Sequence, residues 1–159
     1  MPARKTARRA KVQEFQSFLI DVVDWEVKYG FSLDTGKHSV TGGPYWEHVD
    51  LLLTGTFTLP EKLVGKTVSV SLLGDRRDDR LLDAPDQPHR EPFGVGGLTV
   101  RGERREYLGS IPLSALWGLV AALYAGKIRS VALHGEAMKR GNARIRSINF
   151  ARWHDPEEW

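Results

Sequence analysis

One stretch of this chain, Ile111 to Gly126, has helical periodicity, and the rest reads as strands and turns. Leu113, Leu116, Trp117, Val120, Leu123 and Tyr124 recur at helical spacing, and no charge falls between Glu106 and Lys127. An uncharged run of this length raises the question of a membrane span. It contains Gly109, Ser110, Pro112 and Ser114, and its helical part covers only about 13 residues, short of the roughly 20 a bilayer requires. The expectation is a core helix at about 113–125, with Gly126 supplying the left-handed residue after its last turn. Its Leu/Trp stripe would face the core, so that Trp117→Ala would cost roughly 3–5 kcal/mol. The other face holds Ser114, Ala115, Gly118, Ala121, Ala122 and Ala125, with Leu119 among them. A surface helix ordinarily carries charge there. Either a second element packs on this face or a second subunit covers it, which leaves a homo-oligomer open.

The flanking sequence alternates. Trp25, Val27, Tyr29, Phe31 and Leu33 share one face of a period-two pattern, and Val49, Leu51, Leu53, Phe57 and Leu59 share another with Gly55 between them. A core-facing glycine predicts a bulge or a close approach by a neighbouring element. Lys66 to Gly74, Val95 to Val100 and Arg105 to Ile111 read as further strands. Lys127 to Met138 and Ala143 to Trp153 form a hairpin around Lys139-Arg140-Gly141-Asn142. Ile145 and Ile148 have opposite parity, which predicts a bulge between them. Residues 12–23 fit a helix or a strand equally well. The fold class expected is mainly β: an antiparallel β-sandwich of jelly-roll type, or an open barrel, of about seven strands with one core helix. No βα alternation of a doubly wound sheet is present.

Two segments stand outside this pattern. Residues 1–11 carry five basic and no acidic groups and no apolar periodicity, and read as a flexible arm preceding a single domain over 12–159. Residues 75–92 hold three prolines and ten charges and read as a long loop. No apolar segment follows the basic arm, so it does not resemble a secretory leader, and a cytoplasmic protein is expected.

Several chemistries are excluded or unsupported. The chain has no cysteine, which removes disulfides, thiolate metal sites and a cysteine nucleophile. There is no GxSxG elbow, Walker lysine or HExxH motif, and Gly94-Val95-Gly96-Gly97 opens no helix. The acids of the long loop are interleaved with Arg76, Arg77 and Arg80, which oppose a calcium ion. No catalytic residue, metal site or cofactor is assigned. The nearest approach to an enzyme site is His48 and Asp50 on one strand, if His134 and Glu136 join them in space.

Charge gives a clearer lead. Lys127, Arg129, Lys139, Arg140, Arg144, Arg146 and Arg152 face only Glu136 in the last hairpin. Arg144, Arg146 and Arg152 share parity on a regular strand and would form one outward row. With Arg4, Lys5, Arg8, Arg9 and Lys11 of the arm, this predicts a non-catalytic binding or assembly module for an acidic partner, protein or nucleic acid. Edge strands also carry Lys and Arg merely to prevent edge-to-edge pairing. The alternative is a carbohydrate- or small-ligand-binding sandwich that uses Tyr45 and Trp46, read as an aromatic pair in a loop at the mouth of the second strand.

Overall fold

The computed structural model describes residues 14–33, 45–75, 95–155 and 157, apart from the side chains of Trp46 and Asp75. The expected arm at 1–11 lies outside the described residues, as does all of the expected 75–92 loop beyond Asp75.

Seven strands close into a barrel, and one helix packs against it. They are β1 (Phe15–Leu33), β2 (Tyr45–Leu59), β3 (Thr67–Asp75), β4 (Gly96–Arg101), β5 (Arg104–Pro112), β6 (Ser130–Glu136) and β7 (Asn142–Ala151), with α1 (Leu113–Tyr124) between β5 and β6. The order around the barrel is β1-β2-β3-β5-β4-β7-β6, with β6 returning to β1. Of the two architectures open from the sequence, the barrel is the one formed. All neighbouring strands are antiparallel except β3 and β5, because the β4–β5 hairpin enters with β5, not β4, against β3. No helix among the described residues is long and apolar enough to cross a membrane.

The ambiguity over 12–23 resolves to strand from Phe15 onward. A helix would have aligned Phe15, Leu19 and Val22, whereas Phe18 and Ile20 enter the core on alternate positions and Phe15 is half exposed. β1 has two halves. Phe15 to Asp21 pairs with β6, and Leu19 to Leu33 pairs with β2. Past Val22 the strand therefore has β2 as its only paired neighbour among the described residues. The outer alternation is less covered than a half-buried strand implies: Val27 is 36% exposed, Tyr29 56%, Phe31 61% and Leu33 57%.

Gly55 answers its sequence signal in both ways. The register between β1 and β2 slips between Val22 and Asp24, opposite Gly55 and Thr54, and a Cβ on Gly55 would press on the Asp21 carbonyl and lie 2.6 Å from Ile20 Cγ2. The bulge expected between Ile145 and Ile148 is also present, since His134 pairs with Ser147 and Gly135 with Ile145, leaving Arg146 extra.

The core is lined by Phe18, Ile20, Leu51, Leu53, Phe57, Val70, Leu72, Leu98, Tyr107, Leu133 and Ile145, each at most 1% exposed. Helix α1 packs on β3, β2 and β5, with Leu113 and Leu116 over Gly74, where a Cβ would sit 3.1 Å from Leu116 Cδ1. It ends as a Schellman motif. Gly126 is left-handed at φ 66°, its amide bonds the Leu123 carbonyl at 2.9 Å, and the Lys127 amide bonds the Ala122 carbonyl at 2.9 Å. Leu113, Leu116 and Leu123 are buried, but Trp117 is 42% exposed and lies against Tyr29, their ring centroids 6.2 Å apart. The expected Leu/Trp core stripe is thus a leucine stripe with the tryptophan at its margin. The small-residue face, Ser114, Ala115, Gly118 and Ala121, is exposed.

Candidate functional site

The β4–β5 and β6–β7 turns meet at one end of the barrel. The Val100 amide donates to the Gly141 carbonyl at 2.7 Å, and Thr99 Oγ1 donates to Asn142 Oδ1 at 3.3 Å. Lys139 and Asn142 exchange backbone hydrogen bonds of 2.8 and 3.0 Å around Arg140 and Gly141. Both central residues are left-handed, at φ 51° and 78°, the geometry of a two-residue hairpin turn whose twist matches the strands. Arg140 accepts an unfavourable backbone region to occupy the turn's apex.

This junction gathers cations. Arg101 lies over Gly141, where a Cβ would be 2.8 Å from its Cγ. Arg144 stands on β7 opposite Gly97, which offers no side chain to cover it. Arg101, Lys139, Arg140 and Arg144 are exposed, and none forms an ion pair among the described residues. The neighbouring Arg104 and Arg105 are different. Arg104 is paired with Glu106, while Arg105 bonds Glu103, the Thr67 carbonyl and the Gly102 carbonyl. Four cations therefore face solvent beside two that are neutralised.

The chain enters the barrel at the same end. The Glu14 carbonyl accepts the Ala137 amide at 2.9 Å, and Gln16 Oε1 accepts the Met138 amide at 3.2 Å. Glu14, the first described residue, is thus next to the β6–β7 turn, and Arg4, Lys5, Arg8, Arg9 and Lys11 lie outside the described residues. Arg101 was not among the residues singled out from the sequence. Its only signal there was membership of the Arg101–Arg104 turn, and local order could not reveal which other turn it would meet.

The rest of the expected basic set divides. Arg146, the bulged residue, lies 3.4 Å from Glu136 and sits over the Phe15 ring at 5.2 Å, so its charge is partly engaged. Arg152 follows Ala151, which pairs with Ser130 at the other end of β7, nine residues from Asn142 and so roughly 30 Å away along the strand. The bulge also puts Arg152 on the parity of Ile148 and Phe150. The single row Arg144-Arg146-Arg152 does not form.

Tyr45 and Trp46 begin β2 instead of lying in a loop. Tyr45 is 63% exposed and stacks on Phe31, with centroids 5.5 Å apart and planes 10° from parallel. The side chain of Trp46 lies outside the description.

His48, Asp50, His134 and Glu136 do not converge. His48 pairs across β1 with Gly30 and His134 with Ser17, thirteen residues apart on one strand and thus roughly 40 Å along it. His48 Nε2 lies 4.0 Å from Asp50 Oδ2. His134 Nδ1 is 2.9 Å from Ser17 Oγ with its ring stacked on Phe15, and Glu136 is held by Arg146. Among the described residues no three His, Cys, Asp or Glu side chains group so as to hold a metal ion. Burial lowers the pKa of His154, whose Nδ1 lies 3.0 Å from Ser130 Oγ.

Comparison with protein-family models, with curated proteins and with solved structures finds no match to this chain.

Proposed function

We propose that this chain is a non-catalytic binding module that engages an acidic partner, protein or nucleic acid, through its basic N-terminal residues and the β6–β7 end of the barrel. One observation carries the reading. Glu14, three residues beyond the five cations of residues 1–11 in sequence, bonds Ala137 beside a turn cluster in which Arg101, Lys139, Arg140 and Arg144 have no ion-pair partner among the described residues. In this reading two basic elements that are far apart in sequence serve one partner. Each cation that displaces a counterion from a polyanion strengthens binding and makes it salt-dependent. A cytoplasmic location goes with this reading, in keeping with a chain that needs no disulfide.

The test is fluorescence anisotropy of a labelled mixed-sequence oligonucleotide, and separately of labelled polyglutamate, titrated with the full chain at several salt concentrations. Binding that weakens steeply with salt and is lost on removal of residues 1–11 is the expected result. Absence of binding to either probe at low salt overturns the reading. The relative strength of the two probes assigns the partner class.

A second reading, a carbohydrate- or small-ligand-binding role for Tyr45 and Trp46, is favoured by the exposed stack of Tyr45 on Phe31. Saturable quenching of tryptophan fluorescence by sugars is its test.

A further inference from the structure

The outer half of β1 is an edge, and its side chains are complementary to themselves. No strand among the described residues pairs with β1 on the side away from β2 once β6 ends opposite Asp21. The last link on that side is the Val22 amide to the Arg129 carbonyl at 2.8 Å. The Trp25 amide is taken by the carboxylate of its own neighbour, Asp24, at 2.9 Å, a local substitute for a strand partner. One face of this edge carries Asp24, Glu26 and Lys28, and the other carries Trp25, Val27, Tyr29 and Phe31. Exposed strand edges with an apolar face are templates for pairing with another strand. Tyr29, Phe31, Tyr45 and Trp117 add four rings of roughly 200 Å² each, about half exposed. Together they leave on the order of 400 Å² of largely apolar surface, the scale of the largest patch on a typical monomer, which is often functional.

We infer that a second copy of this chain occupies this edge, by antiparallel pairing of β1 with β1 about a two-fold axis at Val27. This does not depend on the acidic-partner reading and uses a different surface. The register follows from charge. Centred on Val27, Glu26 of each copy faces Lys28 of the other, Asp24 faces Gly30, and Trp25 faces Tyr29. Centring on Glu26 sets that carboxylate against its own copy, and centring on Lys28 does the same to the ammonium. A centre between residues sets the charged face against the apolar one, because a one-residue slip exchanges the faces of a strand. Glu26 and Lys28 are both more than half exposed and lie 3.2 Å apart on one face, available to a second pair of opposite charges.

Sedimentation of the full chain over a range of concentrations, with far-UV circular dichroism to verify folding, tests this directly. A reversible dimer is expected. Glu26→Lys and Lys28→Glu should each weaken it about tenfold, since two symmetric cross-strand pairs turn repulsive, and the double exchange should restore it. Because the chain has no cysteine, Val27→Cys introduces a single thiol at the axis. Cross-strand Cα separations of about 4.5–5.5 Å suit a disulfide, so this variant should cross-link under mild oxidation well ahead of Val64→Cys, a control on an exposed turn. A chain that stays monomeric overturns the proposal. So does a dimer that Val27→Cys fails to cross-link ahead of the control or that the double exchange fails to restore. A dimer sealed through the exposed face of α1 would be indifferent to both single charge reversals and would not cross-link at position 27 ahead of the control, which also overturns the proposal.

Discussion

The Tyr107 hydroxyl, on a side chain with no solvent exposure, donates a hydrogen bond to the Val95 carbonyl oxygen at 3.0 Å. The wall opens for it at the paired glycines Gly96 and Gly109, where added Cβ atoms would press on the phenol. Removing the hydroxyl leaves a carbonyl facing a cavity in the core. Tyr107→Phe should cost about 1–3 kcal/mol in urea denaturation.

The same residue gives a pH dependence. Burial pushes the Tyr107 hydroxyl up to about 12 from an ordinary value of 10.0. Below pH 10 it is protonated in both folded and unfolded chains, and its contribution is fully present. Above that the unfolded chain releases the proton while the folded chain retains it, so the contribution is lost as pH rises toward 12. The stability difference between the wild-type chain and Tyr107→Phe should therefore narrow between pH 10 and 12, measured by denaturation at each pH.

Gly55 faces the barrel interior with the Asp21 carbonyl and Ile20 Cγ2 in the space a Cβ would fill. Two of the obstructing atoms are backbone, which cannot turn aside as a flexible side chain can. Gly55→Ala should destabilise by about 2–4 kcal/mol, a large effect for one methyl group, whereas Gly118→Ala on the open face of α1 should be neutral or mildly stabilising. Thermal melts of the two variants make the comparison.

Helix α1 offers a contrast between adjacent residues. Leu116 is fully buried and Trp117 is 42% exposed. Leu116→Ala should cost about 2–5 kcal/mol, and Trp117→Ala should cost less despite the larger side chain, about 1–2 kcal/mol. Equal losses would mean that the indole is covered.

The basic end makes a separable prediction. Replacing Lys139, Arg140 and Arg144 with Gln should reduce the slope of log affinity against log salt by up to about 3 for a polyanionic probe, near one unit per phosphate contact. Arg152→Gln, at the opposite end of β7, should leave the slope unchanged.

Much of the barrel was readable from the chain. Alternation marked β2 and β3, Gly126 marked the end of α1, and the parity conflict of Ile145 and Ile148 marked the bulge, because each is a local rule acting over a few residues. Burial was read less well. Trp117 and the outer row of β1 carry the residue types of a core, but β6 reaches only as far as Ser130, opposite Asp21, and leaves that part of the strand with one paired neighbour among the described residues, a fact about strand length elsewhere in the chain. The basic hairpin is legible in the sequence, yet strand parity alone puts Arg152 with Arg144 and gives no sign of Arg101. Which turns meet at a barrel end depends on strand order, and order is set by the non-local pairing of β5 with β3 and β4 with β7. His48 and His134 were open to convergence for the same reason, and the register along β1 separates them.

The double use of β1 has a consequence in time. Its outer half can find β2 as soon as the first hairpin is made. Its inner half must wait for β6, with Ser17 and His134 separated by 117 residues of chain. The β1–β6 pairing is thus unavailable until residues 130–136 have been made, the barrel is completed only when β7 joins β6 to β4, and contacts of such separation form slowly. Until then Phe18 and Ile20 have no complete core to enter. Before β6 is made, the edge of β1 from Phe15 to Asp21 lacks the strand it pairs with in the folded barrel, and an unpaired edge is a template for another strand.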